Sequence, residues 1–166
     1  MYIREKSSLL NQAHQQIITE FYTAFQNMDA EKMASFYDIN ATFRDPAFGV
    51  LKSIRIGNMW RMLIESQKGK DFKVNFSNVT DHSADWDAQY TFNKTGRRVH
   101  NYITANFEFK DGKIIKHEDY FDLHNWAKQA LGFKGWIFGG TKTFQNKLQM
   151  RTNIMIQKYE ATLLDD

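Results

Sequence analysis

The strongest constraint on the fold is a stretch from Phe72 to Leu123 in which apolar residues occupy alternate positions in successive runs. Alternation of this kind is typical of strands, because successive side chains point to opposite faces of a sheet. The last run, Lys113–Leu123, follows the pair Asp111-Gly112, which is a strong hairpin signal. We therefore predict a four-stranded meander whose inward residues include Phe72, Val74, Phe76, Trp86, Ala88, Tyr90, Phe92, Val99, Ile103, Ala105, Phe107 and Phe109.

Before the meander, the apolar spacing changes to three and four residues, which indicates helices. A stripe from Leu10 to Met28 predicts a long first helix that Ser7 or Ser8 can cap and that ends near Met28. Asp29 can cap a short second helix, and Ser53 can cap a third. The pattern predicts an α+β fold in which N-terminal helices wrap a curved antiparallel sheet.

Between the second and third helices, residues 41–45 indicate a short strand that Pro46 ends, followed by a loop at Phe48-Gly49. After the meander, a short helix ends at Gly132. We predict one domain over residues 1–132, and a glycine-rich segment with a final amphipathic helix, residues 133–166, packed on the same domain. The final helix is predicted to turn these residues inward: Phe144, Leu148, Met155 and Tyr159.

Composition narrows the classes of function. The chain of 166 residues contains no cysteine, which excludes disulfides, zinc–thiolate sites and a cysteine nucleophile. No run approaches the length of a membrane span, and the only adjacent basic pair is Arg97-Arg98 in a predicted turn. We expect a cytoplasmic protein that binds neither membrane nor nucleic acid.

His117 and Asp119 form the first candidate constellation. On a strand they share one face with Ile115 and Phe121, so an imidazole and a carboxylate interrupt an apolar surface. Such a pair can be an acid–base couple, or a structural pair that satisfies itself in the core. Asn101 on the neighbouring strand, and Tyr90 on the next, could hold a ligand oxygen in the same space.

Asp45 is the second candidate. It ends a predicted strand beside Pro46, between Phe43 and Phe48, and these apolar neighbours would raise the pKa of its carboxyl by desolvation. A carboxylate of this kind can act as a general base near neutral pH. The alternative is a turn residue whose side chain caps local backbone amides.

Three segments carry a resemblance to a known superfamily. Phe36–Pro46, Asp111–Ile114 and His117–Leu123, the last continued by Trp126 and Gln129–Gly132, resemble motifs of the nuclear transport factor 2-like superfamily. This superfamily includes the ketosteroid isomerases, the SnoaL-type polyketide cyclases and limonene epoxide hydrolase. The resemblance covers about residues 8–132 and implies a cone-shaped fold, also described as cystatin-like, and a homodimer.

The resemblance also bears on the reaction. Asp45 falls where ketosteroid isomerases keep the aspartate that shuttles a proton. Their two oxyanion donors would fall at Phe21 and near Ala105, whose side chains cannot donate, so steroid isomerisation is disfavoured. No inward arginine matches the epoxide hydrolase mechanism, and the acid of the SnoaL-type cyclases falls in the region of His117 and Asp119.

Three hypotheses follow for the function. The first is acid–base chemistry, of an isomerase, lyase or cyclase type, on a small apolar molecule that bears a carbonyl, with Asp45, His117 and Asp119 as catalytic residues. The second is a non-catalytic binder of a lipid-like or aromatic molecule. The third is a dimerisation or interaction module whose open sheet face buries a partner, and Trp136–Phe138 with the last helix could cover that face or close the mouth of the cone. No cofactor and no metal are expected. The predicted ligand contacts are Phe21, Phe43, Phe48, Trp60, Trp86, Tyr90, Asn101 and Phe121.

Overall fold

The computed structural model describes residues 2–164, so the outermost positions of the predicted segments 1–132 and 133–166 lie outside the described residues. The helices in this part are α1 (Tyr2–Gln26), α2 (Ala30–Ser35), α3 (Ile54–Gln67), α4 (Leu123–Leu131), α5 (Phe133–Phe138) and α6 (Lys142–Thr162). The strands are β1 (Tyr37–Asp45), β2 (Gly49–Lys52), β3 (Lys73–Ser77), β4 (Ser83–Phe92), β5 (Arg97–Lys110) and β6 (Lys113–Tyr120).

The six strands form one open, curved sheet in the order β2-β1-β6-β5-β4-β3. The antiparallel meander β3 to β6 and the α+β class are confirmed. One pair differs from the expected antiparallel arrangement, because β1 runs parallel to β6. The chain returns from the β1–β2 hairpin through α3, which brings the last strand of the meander alongside β1 in the same direction.

The region around the first strand is more regular than predicted. β1 begins at Tyr37, where it already lies beside Ile114 of β6, rather than at residue 41. The expected loop at Phe48-Gly49 is instead the start of β2, which pairs Gly49 with Asp45. Gly49 has a φ of 71°, in the left-handed region that favours glycine, and this allows the chain to reverse.

The predicted helix starts are partly wrong. Asp29 caps α2 as expected, since its side chain accepts a hydrogen bond from the Lys32 amide. Ser53 precedes α3 but makes no side-chain cap. Ser7 and Ser8 lie inside α1, because the good helix formers before them, such as Glu5 and Lys6, extend it towards the N-terminus.

A β-bulge corrects one inward residue. Between β5 and β6, Glu108 pairs with Lys116 but Phe109 pairs with Ile114, which leaves Ile115 as an extra residue. Ile114 is therefore fully buried and Ile115 only partly, contrary to the prediction that Ile115 shares the inward face of His117.

The core lies between the inner face of the sheet and the helices α1 and α3. It is rich in aromatic rings, and Phe21 alone makes edge-on contacts with Phe36, Trp60 and Phe107. Rings of this size bury much apolar area and prefer edge-to-face geometry, so they fix the distance between helix and sheet.

The C-terminal region differs from the prediction in two ways. The glycine-rich segment contains a helix, α5, and α6 turns Met155 outward rather than inward. The inner face of α6 reaches the turn after β1, where Thr152 donates a hydrogen bond to the Ala47 carbonyl and Asn153 donates to the Phe48 carbonyl. Among the described residues, no helix is both long and apolar enough to span a membrane.

Candidate functional site

His117 and Asp119 lie on the inner face of β6, where both are buried. His117 Nε2 lies 3.0 Å from Asp119 Oδ1. The other ring nitrogen, Nδ1, lies 2.7 Å from the Tyr37 hydroxyl. Their two-residue spacing on one strand brings these side chains together, as the sequence predicted.

The partners of Tyr37 fix the direction of these hydrogen bonds. Trp60 Nε1 can only donate, and it lies 3.1 Å from the Tyr37 oxygen. Among the described residues, the Tyr37 hydroxyl has no acceptor other than His117 Nδ1, so it donates there, and Nε2 is left to donate its proton to Asp119. Burial also raises the pKa of Tyr37 well above its usual range, which keeps the phenol protonated. A one-way chain thus runs from Trp60 through Tyr37 and His117 to the Asp119 carboxylate.

Asp119 receives a further hydrogen bond from a third strand. Trp86 Nε1 on β4 lies 3.4 Å from Asp119 Oδ1 and donates to it. Both bonds end on the same oxygen, so this buried carboxyl has the hydrogen-bond partners that a buried polar group needs.

Asp45 occupies the adjacent strand at the same level. The parallel register pairs Phe43 with His117 and Arg44 with Glu118, so the next residue, Asp45, falls beside Asp119 on the inner face. Its Oδ1 accepts hydrogen bonds from the amides of Ala47, at 2.9 Å, and Phe48, at 2.5 Å. Asp45 therefore caps a turn, as the second alternative expected, and its role as a general base stays a prediction.

Burial sets the acidity of Asp45. Removal from water raises the pKa of its carboxyl to about 7, and the nearby charge of Asp119 adds to this effect. The amide hydrogen bonds from Phe48 and Ala47 act in the opposite direction but do not cancel it. The side chain is partly exposed at the surface of the fold, unlike His117 and Asp119.

Aromatic rings enclose the imidazole of His117. Phe107 stacks on it at 4.3 Å between ring centroids, while Phe43 and Phe21 contact it edge-on at 5.1 and 5.7 Å. Trp60 lies parallel at 6.3 Å. Of the predicted ligand contacts, the following are buried near this cluster or next to Asp45: Phe21, Phe43, Phe48 and Trp60.

Of the remaining predicted contacts, Trp86 reaches the cluster through Asp119, but Tyr90 and Asn101 do not converge on His117. Tyr90 accepts a hydrogen bond from Trp126 Nε1 of α4, at 2.8 Å. Asn101 pairs with Ala88, whereas His117 pairs with Phe107, six residues further along β5, a separation of roughly 20 Å at the usual rise of a strand. Phe121 follows the end of β6 and is partly buried.

Sequence reasoning missed two tyrosines. Tyr37 is absent from the predicted site residues, and its role depends on the parallel pairing of β1 with β6. Tyr22 is fully buried, and among the described residues its hydroxyl has no hydrogen-bond partner. A second stripe on α1, Ile18, Tyr22 and Phe25, at spacings of four and three, could have revealed Tyr22.

Two surface clefts are described, and both lie away from Asp45, His117 and Asp119. One of about 540 Å³ is lined by α1 and by Thr80 and Asp81, and one of about 330 Å³ lies between His124 and the start of α6. Neither is lined by Asp45, His117 or Asp119, so an internal ligand pocket stays a prediction. In the described part of the chain, no three His, Asp or Glu side chains are grouped as metal ligands.

A mixed sheet wrapped by α1 to α3, with acidic and imidazole side chains on its inner face, defines the class of protein. It is the cone-shaped α+β fold of the nuclear transport factor 2-like superfamily, as the sequence motifs indicated. The SnoaL-like domain model matches residues 18–117, which is more than half of the chain. The chain therefore belongs to the SnoaL-like domain family.

Solved structures share this fold at low sequence identity. Bal32a, from a soil-derived mobile gene cassette, has a TM-score of 0.62 at 19% identity, over 72% of this chain and 98% of its own. An LEH-like epoxide hydrolase from M. tuberculosis has a TM-score of 0.52 at 19% identity, over 78% and 92%. SalBIII, described as an epoxide hydrolase/cyclase-like enzyme in pyran ring formation in salinomycin, has a TM-score of 0.55 at 18% identity, over 69% and 94%. A comparison with curated protein sequences finds no match.

Proposed function

We propose that this SnoaL-like protein carries out acid–base chemistry on a small, largely apolar molecule that bears a carbonyl group. Asp45 moves the proton, Asp119 provides the neighbouring charge, and His117 with Tyr37 orients Asp119. The observation that carries the proposal is the juxtaposition of Asp45 and Asp119 on parallel neighbouring strands, with Asp119 held by a one-way chain of hydrogen bonds.

The two carboxyls have different surroundings, and different surroundings suit different roles. Asp119 is buried and is fixed in place by hydrogen bonds with His117 and Trp86. Asp45 is partly exposed, and its pKa of about 7 suits a group that must both take and release a proton near neutral pH.

The chemistry needs a donor for the oxygen of the substrate. When the Asp45 carboxylate takes a proton from the carbon next to the carbonyl, the electron pair of that C–H bond moves towards the carbonyl oxygen and forms an enolate. Tyr22 supports this step, because its buried hydroxyl stays protonated and lies near Asp119. A positioned donor of this kind stabilises the developing charge.

The test is exchange of carbon-bound protons with solvent. The protein is incubated in D₂O with a panel of small cyclic and aromatic ketones, and deuterium next to the carbonyl is followed by NMR. General-base catalysis typically contributes about 10²–10⁴-fold, so Asp45→Asn should lose about that factor in exchange rate. The wild-type rate should rise as the pH passes through about 7, since the base must be ionised.

Asp38→Asn is the matched control. Asp38 lies on the same strand and also accepts a backbone hydrogen bond, from Asn40 at 2.8 Å, but it is not next to Asp119. This variant should exchange at the wild-type rate. Equal rates in Asp45→Asn and the wild type, for every ketone that exchanges, would remove Asp45 from the proposed role.

The enclosure of His117 favours a second candidate, a non-catalytic binder. The rings of Phe21, Phe43 and Phe107 surround the imidazole, so a ligand would contact apolar rings more than titratable atoms. Native mass spectrometry before and after denaturation detects a small molecule that co-purifies. A ligand retained equally by Asp45→Asn and the wild type, without deuterium exchange, supports the binder over the enzyme.

We further propose a cytoplasmic homodimer that binds its small molecule without metal or cofactor. The superfamily resemblance supports the homodimer, and the absence of cysteine is compatible with a reducing compartment. Sedimentation equilibrium of the full chain tests the dimer, since a mass near 19.6 kDa at every concentration would contradict it.

A further inference from the structure

Helix α5 has its small residues inside and its large apolar residues outside. Gly135 and Gly139 are buried against α4, and a Cβ at Gly135 would lie 1.8 Å from the Ala127 carbonyl oxygen. The exposed fractions of the large side chains are 72% for Phe133, 60% for Trp136, 45% for Ile137 and 57% for Phe138. A surface helix normally turns such residues towards the core.

Helix α6 buries Ile156 in the core, but it also leaves large apolar residues exposed. Its contact with the turn after β1 is polar, since Gln145 and Gln149 both donate to the Pro46 carbonyl, next to the bonds from Thr152 and Asn153. Its exposed residues include Met150, Ile154 and Met155. The two helices therefore present apolar side chains to the surroundings of the protein.

The charges of this region have one sign. From Leu123 to Tyr159 the sequence contains no Asp and no Glu. Five basic residues of α5 and α6 are exposed: Lys134, Lys142, Lys147, Arg151 and Lys158. A face that combines exposed aromatic and aliphatic side chains with lysine and arginine is typical of helices that lie on anionic lipid surfaces.

We propose that the outer face of α5 and α6 docks on an anionic lipid surface. We call this outer face the basic–aromatic face; it consists of Phe133, Lys134, Trp136, Ile137, Phe138, Lys142, Lys147, Met150, Arg151, Ile154, Met155 and Lys158. The apolar side chains enter the headgroup boundary, where tryptophan is favoured, and the basic side chains contact the lipid phosphates. The expectation that the protein binds no membrane rested on the lack of a spanning segment, and surface docking needs none.

Charge decides between a lipid surface and a second copy of the chain. A two-fold symmetric contact through the basic–aromatic face would bring the same cations of both copies together, with no carboxylate from Leu123 to Tyr159 to offset them. An anionic surface complements these charges. A lipid surface also requires no groove of matching shape. This suits large side chains that stand on the outer faces of two helices.

The experiment is flotation of the full chain with lipid vesicles. One set consists of phosphatidylcholine alone, and the other contains about one quarter phosphatidylserine, a typical anionic lipid of such surfaces. The protein should float with the anionic vesicles, bind the neutral ones at least about tenfold more weakly, and dissociate as salt screens the charges.

Two variants locate the contact. The first, an apolar variant, combines Phe133→Ser with Trp136→Ser. The second, a charge variant, combines Lys134→Gln with Lys147→Gln and Arg151→Gln. Each should lower the partitioning of the protein onto anionic vesicles by about tenfold or more. The controls are Ile39→Ser, which removes an equally exposed apolar residue from β1, and Lys52→Gln with Lys68→Gln and Lys110→Gln, which remove the same charge elsewhere. Both controls should bind as the wild type does.

Three results would overturn the proposal. In the first, the wild type does not float with the anionic vesicles. In the second, both variants float as well as the wild type does. In the third, the wild type self-associates and Phe133→Ser with Trp136→Ser abolishes this self-association. The last result would assign the basic–aromatic face to a second copy. Because these variants lie outside the proposed acid–base site, deuterium exchange in solution should not change in any of them.

Discussion

The carboxyl of Asp45 accepts backbone hydrogen bonds that favour its charged form, yet burial outweighs them and raises its pKa to about 7. In an unfolded chain the pKa of aspartate is about 3.9. The folded state thus binds the proton more tightly, and the free energy of unfolding should fall as the pH rises from about 4 to about 7 and then level off. Because the side chain is partly exposed, we expect a fall of roughly 2 kcal/mol rather than the full shift.

Asp45→Asn should abolish this fall, since the amide oxygen can still accept the bonds from Ala47 and Phe48 but does not titrate. Urea unfolding of the wild type and the variant at several pH values measures the difference. Asp38→Asn, from the same strand, should keep the wild-type slope. An unchanged slope in Asp45→Asn would mean that its pKa is not raised in the fold.

The Tyr37 hydroxyl is the only hydrogen-bond partner, among the described residues, of two buried nitrogen atoms, Trp60 Nε1 and His117 Nδ1. Tyr37→Phe leaves Trp60 Nε1 and His117 Nδ1 without the hydroxyl, and a buried polar group that loses its partner costs about 1–3 kcal/mol. We expect a loss of about 2–4 kcal/mol in the free energy of unfolding, measured by urea titration. Tyr102→Phe removes an exposed hydroxyl bound to His100 and should change stability by less than about 0.5 kcal/mol. A loss no larger in Tyr37→Phe would show that the chain of hydrogen bonds does not stabilise the fold.

Among the elements, the pair α4–α5 depends on close backbone contact. Gly135→Ala places a Cβ against the Ala127 carbonyl, so the two helices must separate. Such a change typically costs about 1–3 kcal/mol, and amide exchange in α5 should accelerate more than in β5. Gly140→Ala is the control, because its nearest neighbour is the His124 ring at 3.3 Å. Equal protection of α5 in Gly135→Ala and the wild type would contradict the contact.

The elements that the sequence predicted well are those with a long periodic signal. Alternation from Phe72 onward identified β3 to β6, and Asp111-Gly112 marked their last hairpin. β2 escaped detection because four residues carry too little periodicity, and α5 escaped because its glycines suggested a loop. The bulge at Ile115 was also invisible, since an extra residue in a strand changes no local propensity.

At the scale of the whole molecule, the site depends on contacts that sequence spacing does not report. The spacing on one strand placed His117 beside Asp119, but only the parallel pairing of β1 with β6 brings Asp45 and Tyr37 to them. Pairing between strands so distant in sequence follows from how α3 returns the chain, and no motif encodes it. Asn101 illustrates the opposite error, because its correct face on β5 does not imply nearness to His117.

The last helix couples the C-terminal region to Asp45. Thr152 and Asn153 of α6 donate hydrogen bonds to the Ala47 and Phe48 carbonyls, in the turn whose amides bind the Asp45 carboxyl. Replacement by Thr152→Val with Asn153→Leu should loosen this turn and admit water to Asp45. Since burial is the main cause of its raised pKa, that pKa should fall from about 7 towards its usual range.

Titration of ¹³C-labelled carboxyls by NMR measures the shift, and urea unfolding should show a loss of about 1 kcal/mol for each hydrogen bond removed. Asn146→Leu, on the exposed face of the same helix, should leave both quantities unchanged. A raised pKa that persists in Thr152→Val with Asn153→Leu would show that β1 and its turn bury Asp45 without α6. If the pKa of Asp45 falls in Thr152→Val with Asn153→Leu but not in Asn146→Leu, the C-terminal helix helps to set the pKa of the proposed base. The two variants differ in that only the first removes contacts of the inner face of α6.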